Sequence, residues 1–173
     1  DKCTSYFRNN FGKSRFHHVD IFVNELLPID ETQKESVRET ILTNYSSQCK
    51  SLYLKADITP GFIPFIESLS GSKYVASGSE QQELRDVFNQ RGLSQYFSQI
   101  FGSPTPKAKL ISYILELESS DNAIMFGDAE SDFCSAQSNN IDFVFYSPFS
   151  NVKEKMDSIC SSHQLPIVVD FSK

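Results

Sequence analysis

Apolar positions along the chain fall into two regimes. Up to about residue 57 they recur at helical spacing. Phe16, Val19, Phe22, Val23 and Leu26 form one stripe, and Pro28 ends that helix. Asp30 or Thr32 can cap the next helix, which runs through Val37, Ile41, Leu42 and Tyr45. Such stripes mark the core-facing side of a helix. From Thr59-Pro60-Gly61 onward, short apolar runs alternate with helical patterns. The expected order is helix 61–69, strand 73–77, helix 80–90, helix 107–117, strand 122–126, helix 130–138, strand 141–146, helix 151–162 and strand 166–170. This alternation predicts a Rossmann-like α/β fold, a parallel sheet with right-handed crossovers. The chain therefore divides into a helical unit over 1–57 and an α/β unit over 58–173. It holds no internal repeat and no low-complexity linker.

Three strand-end segments carry the candidate chemistry. In Ile124-Met125-Phe126-Gly127-Asp128 an apolar run reads as a buried strand, and Gly127 permits a sharp turn at its end. Asp128 then sits where open α/β sheets bind ligands, and Asp132 follows four residues on. Two carboxylates this close repel unless a cation or basic group lies between them. Their hard oxygens suit Mg2+. The simpler alternative is a helix start with Asp128 or Ser131 as its N-cap.

Upstream, Lys73-Tyr74-Val75-Ala76 reads as a strand, and a helix with Leu84, Val87 and Phe88 on one face follows and stops at Gly92. Ser77, Gly78 and Ser79 lie between the two. Free N–H groups and the helix dipole make that position an anion site, to which the Ser77 hydroxyl adds a donor. A capping turn without a ligand is the plainer alternative. In the third segment, Phe101 to Lys109, two prolines stiffen a loop and Pro106 suits a helix start. Leu110, Ile111, Ile114 and Leu115 give that helix its buried face. Lys107 stands at the positive end of its dipole, against local preference. Such conflicts mark functional positions. A solvated lysine on an exposed first turn is the alternative.

These three segments, in this order, resemble the haloacid dehalogenase superfamily, chiefly its phosphatases. Ser77 matches the Ser/Thr of the family's second motif, Lys107 the Lys of the third, and Gly127-Asp128-Ala129-Glu130-Ser131-Asp132 the acidic fourth. Val75-Ala76-Ser77-Gly78-Ser79, then Arg91-Gly92-Leu93 and Phe101-Gly102-Ser103-Pro104, resembles a branch of small phosphoglycolate-phosphatase-like hydrolases. The resemblance spans roughly Asn10 to Tyr146. It makes the helical unit a cap and the α/β unit the core. The family's first motif is Asp-x-Asp after an apolar strand, and no such motif precedes Ser77. Asn9-Asn10-Phe11-Gly12-Lys13-Ser14-Arg15-Phe16 already resembles the cap that follows it. The chain is therefore expected to be an N-terminally truncated member with a partial cap and a core lacking its first strand. A protein that lost the motif is the alternative. Leu165 to Ser172, an apolar run ending Asp170-Phe171-Ser172, is a superficial match at the wrong end of the chain, and a last edge strand is expected there.

Composition narrows the partners. The chain has 173 residues, 39% hydrophobic with 15 phenylalanines, enough for one domain with a substantial core. A net charge of −6 argues against nucleic acid. An acidic chain that binds phosphate must use a local cluster, here Lys13, Arg15, Lys107 and the loop N–H groups. Cys3, Cys49, Cys134 and Cys160 are widely spaced, as for free thiols in a reducing cytosol rather than a zinc site. No apolar run reaches membrane-spanning length and no signal peptide is visible, so a cytoplasmic location is expected. His17, His18 and His163 form no catalytic spacing with Cys or Ser, and His17 and His18 belong to a helix face.

The resemblance implies phosphoryl transfer to water through an aspartyl-phosphate, with a small phosphomonoester as substrate and Mg2+ as cofactor. Ser77, Lys107, Asp128 and Asp132 are its catalytic candidates, with Asp128 and Asp132 as the metal residues, Asp132 holding either Lys107 or the metal's water shell. Gly78, Ser79, Lys13 and Arg15 are its substrate contacts, though a surface basic pair is the alternative for the last two. Lacking the nucleophile, the chain as given is expected to be inactive. The competing reading is a non-catalytic Rossmann-like module that binds an anion or a protein. The oligomeric state is not legible.

Overall fold

The computed structural model describes residues 2–172. The first third is helical. Helix α1 spans Lys2–Asn9 and α2 spans Arg15–Ile21. Ser14 caps α2 by accepting the His17 backbone N–H at 3.2 Å, and the helix runs on as a π turn over Phe22–Leu26. A 3-10 turn at Glu31–Gln33 leads into α3, Lys34–Lys55. Neither Asp30 nor Thr32 caps α3 with its side chain. Gln33 takes the cap position and makes no side-chain bond there.

The remainder alternates as expected: α4 (Phe62–Ser68), β1 (Tyr74–Glu80), α5 (Gln81–Gln90), β2 (Gln99–Ser103), α6 (Lys107–Glu118), β3 (Ile124–Gly127), α7 (Glu130–Ser138), β4 (Asp142–Tyr146), α8 (Lys153–His163) and β5 (Ile167–Val168). Gly92 sits at φ +68° just past α5, the left-handed stop its position predicts. Strand β2 was not expected. It is short, contains a glycine and runs into Pro104, all loop signals, yet Ile100, Phe101 and Ser103 are buried.

The fold is α/β with parallel pairing, in two sheets rather than one. β1 pairs with β2, and β3, β4 and β5 form a second sheet in that order. β5 pairs only with β4 among the described residues, so the apolar run near the C-terminus ends the sheet as an edge strand. β1 and β3 do not pair with each other. Helices α5 and α6 pack on β1 and β2, and α7 packs on β3 and β4. Phe133 and Ala136 of α7, Phe143 and Phe145 of β4, and Met156 and Cys160 of α8 form the principal buried cluster. On the opposite face of that sheet, Phe65 of α4 meets Phe126 at 5.5 Å between centroids and Phe171 at 4.7 Å, and Phe171 stacks on Tyr146 at 5.0 Å. The helical unit reaches the rest through α2, which touches β1, and α3, which lies against α5. No disulfide joins the cysteines, and no helix among the described residues is long and apolar enough to cross a membrane.

Candidate active site

The two sheets direct their carboxyl ends at a common cavity of about 210 Å³. Ser77, Gly78 and Ser79 at the end of β1 line it, as do Lys107 at the start of α6, Asp128 after β3, and Asp132 in the first turn of α7. Helices α1 to α3 close it from above with Lys13, Arg15 and four aromatic side chains. All eight residues singled out from the sequence therefore border one space.

Asp132 is the organising residue. It is 4% exposed. Its Oδ2 accepts the backbone N–H groups of Asp128 at 3.1 Å and Ala129 at 3.2 Å, fixing the turn after β3. Its Oδ1 takes the Lys107 ammonium in an ion pair. A side-chain carbon on Gly127 would collide with the Asp132 side chain, so glycine at that strand end is a steric requirement. Lys107 thus sits against the helix dipole because a buried carboxylate holds it there. With both Asp132 oxygens engaged, Asp128 is the carboxylate left to meet a ligand. Burial, reinforced by the neighbouring Asp132 charge and opposed by Lys107, pushes its carboxyl up to about 6. A half-buried carboxylate with an acidic neighbour fits a divalent cation, which would favour its ionised form.

The β1 end differs from expectation in one respect. The strand continues to Glu80, and the Glu80 carboxylate caps α5, accepting the N–H groups of Gln82 at 3.0 Å and Glu83 at 2.8 Å. An internal anion therefore occupies the helix N-terminus. Ser77 remains available: its Oγ accepts the Ser79 N–H at 3.1 Å, which leaves the hydroxyl proton to donate.

Gly12 and Lys13 form a wedge between the two strand ends. A Cβ on Gly78 would lie 3.2 Å from the Gly12 carbonyl oxygen, and one on Gly12 would strike Ser131 and Ala129. Gly12 adopts φ +90°, where other residues are strained. This wedge was not read from the sequence, because its partners lie far along the chain. Arg15 borders the cavity, but its guanidinium is 2.7 Å from the Glu83 carboxylate of α5 and lies over the Tyr45 ring at 5.0 Å. Tyr45 and Tyr53, also missed, reach the site from α3, and the Tyr53 hydroxyl is 3.0 Å from Ser79 Oγ. Burial, first, then His17 and Lys13 hold the His18 imidazole down at about 4. Neither ring nitrogen of His18 has a partner, and the ring packs 4.7 Å from Phe7.

A hydroxyl, a lysine and a carboxylate gathered at the carboxyl ends of parallel strands define the class, an α/β protein whose charged and polar side chains converge on one cavity. A family model described as haloacid dehalogenase-like hydrolase matches residues 18–146, and the chain belongs to that family. Solved structures agree on the fold. A beta-phosphoglucomutase from Clostridium difficile superposes with a TM-score of 0.68 at 20% identity, covering 98% of this chain and 76% of that one. A haloacid dehalogenase-like hydrolase from Streptococcus pneumoniae gives 0.64 at 18% identity, covering 96% and 76%. A predicted phosphatase from Clostridium acetobutylicum gives 0.64 at 19%, covering 92% and 81%. A search of curated proteins found no match.

Proposed function

We propose that this site serves a Mg2+-dependent phosphatase that hydrolyses a small phosphomonoester through an aspartyl-phosphate. The observation that carries the reading is the buried Lys107–Asp132 pair beside Asp128, across one cavity from Ser77. A phosphoryl group bound there meets the Ser77 hydroxyl as donor and the Lys107 ammonium as fixed positive charge. Asp132 positions Lys107 and the Asp128 backbone, and Lys13 adds a second cation at the cavity wall. Asp128 is the residue that would hold Mg2+, with Asp132 behind it, and the ion when bound would neutralise phosphate charge.

Attack requires a carboxylate nucleophile, and no Asp-x-Asp precedes Ser77 in this sequence. Its place in this reading is between β1 and β3, whose ends flank the cavity. Residues 1–173 alone are therefore expected to bind phosphate without turning over a phosphomonoester. Among the described residues only Asp128 and Asp132 bring carboxylates to the cavity, and a second reading is a non-catalytic anion-binding module.

Phosphate release from a phosphomonoester panel, with and without Mg2+, tests the first point. A chain extended by an apolar strand ending in Asp-x-Asp is expected to release phosphate, whereas residues 1–173 are expected not to. If the extended chain stays inert while phosphate still binds, the binding-module reading stands instead. Lys107→Met should abolish phosphate binding; unchanged affinity would remove this site from consideration.

A further inference from the structure

The wall of the cavity opposite the strand ends differs sharply from the wall they form. It presents Phe7, Phe11, Tyr45 and Tyr53 from α1, the turn after it, and α3. Two cations, Lys13 and Arg15, share this side. Arg15 is 5% exposed and its guanidinium is 2.7 Å from the Glu83 carboxylate, while its Nε has no hydrogen-bond partner among the described residues. Lys107 is met by Asp132. Lys13 is the one cation of the lining that forms no ion pair among the described residues. A bound phosphate takes that charge first. The rest of the ligand would then face the aromatic rings. Tyr53 is held by its hydroxyl on Ser79 Oγ at 3.0 Å, so its ring offers a fixed face. At about 210 Å³ the space is below the roughly 300–1,000 Å³ typical of drug-sized ligands. It suits one ring and a phosphate, not a nucleotide.

We infer that this aromatic wall selects phosphomonoesters whose leaving group is a single flat ring. The inference rests on the phosphatase reading, which puts the phosphate at Ser77 and Lys107. Tyr53 and Phe11 are its specificity-determining residues.

Titration of residues 1–173 with Mg2+ present, by calorimetry or NMR, separates the possibilities without needing turnover. The probes are inorganic phosphate, phenyl phosphate and 2-phosphoglycolate. Phenyl phosphate is expected to bind about tenfold tighter than inorganic phosphate, the scale of one aromatic contact. 2-Phosphoglycolate, which has no ring, is expected to bind less tightly than phenyl phosphate. In Phe11→Ala and Tyr53→Leu the preference for phenyl phosphate should fall toward unity, and Tyr53→Phe, which keeps the ring, should retain it. Phosphate binding with no preference for phenyl phosphate, or with 2-phosphoglycolate preferred, overturns this inference and leaves the phosphatase reading intact. Failure of all three probes to bind overturns both.

Discussion

The two half-sheets are held together by different means. The β3–β4–β5 half has its own apolar core, with Phe145 and Met156 fully buried between β4 and α8. The β1–β2 half buries Ile100 and Phe101 of β2, Leu84 and Val87 of α5, and Leu110 and Ile111 of α6, while every residue of β1 is only half-buried. It has in addition a set of polar ties to the helical unit. Arg15 and Ser46 meet Glu83, Tyr53 meets Ser79, and Arg91 donates to the carbonyls of Tyr53 at 2.8 Å and Ala56 at 2.5 Å. The candidate site lies where a half held by its own apolar core meets a half that is also tied by hydrogen bonds to the helical unit. Apolar packing has few alternative arrangements, whereas polar contacts can be exchanged for water at small net cost. The ties between β1, α5 and the helical unit are therefore the contacts able to adjust to a ligand.

The largest test of this contrast is core truncation. Phe145→Ala should lower stability by about 3–5 kcal/mol, the usual loss for a buried phenylalanine, and Val75→Ala in β1 by about 1 kcal/mol. Urea denaturation of both variants measures the difference, and equal losses would erase the contrast.

Next comes the tie between the halves. Lys107 belongs to α6 on the β1–β2 side, and Asp132 to α7 on the β3–β4 side. Lys107→Met strands a buried carboxylate and should cost about 3 kcal/mol. It should also separate the unfolding of the two halves, visible as non-coincident transitions by fluorescence and circular dichroism. A single sharp transition in the variant would show that apolar contacts suffice to couple them.

The halves should also respond to pH with opposite sign. His18, on α2 against β1, is held below its ordinary value of 6.5 at about 4. Its neutral form is the folded one, so the stability it contributes is full above pH 6.5 and is lost as pH falls toward 4. The amount is of the order of 2 kcal/mol, and His18→Phe should flatten that acid limb. Asp128, at the end of β3, is raised from 3.8 to about 6. Its contribution is full below pH 3.8 and is lost as pH rises through 6.

The smallest expected effect follows from that sign. Asp128→Asn should gain about 1 kcal/mol of stability at pH 7 while weakening Mg2+ binding. A thermal melt and a Mg2+ titration on the same variant check both. Loss of stability would mean that Asp128 carries a structural role beyond its charge.

Local pattern made much of the fold legible. The helix over 130–138 and the strand over 141–146 follow from apolar spacing and matched the structure to within a residue. What escaped depended on distant partners. β2 reads as a loop because its glycine and the following proline outweigh two apolar residues. The division into two sheets cannot be seen in strand patterns taken singly, since each strand satisfies its own pattern either way. At the site, Lys107 announced itself by opposing its helix dipole. Arg15 gave no sign that Glu83 would claim it, and the polar run Glu80-Gln81-Gln82-Glu83 did not reveal that its first carboxylate folds back onto α5.

The edges of β1 and β3 that pair with no strand among the described residues have a consequence for residues 1–173 in bulk solution. An edge of open N–H and C=O groups is a template for any extended chain, and Ile124 at 58% and Phe126 at 39% exposure add an adhesive apolar surface beside one of them. Mutual repulsion from a net charge of −6 opposes such contact at low ionic strength. Salt weakens that repulsion while leaving the edges as they are, so colloidal stability depends on ionic strength, and concentrated stocks keep best in dilute buffer above the isoelectric point of about 5.0.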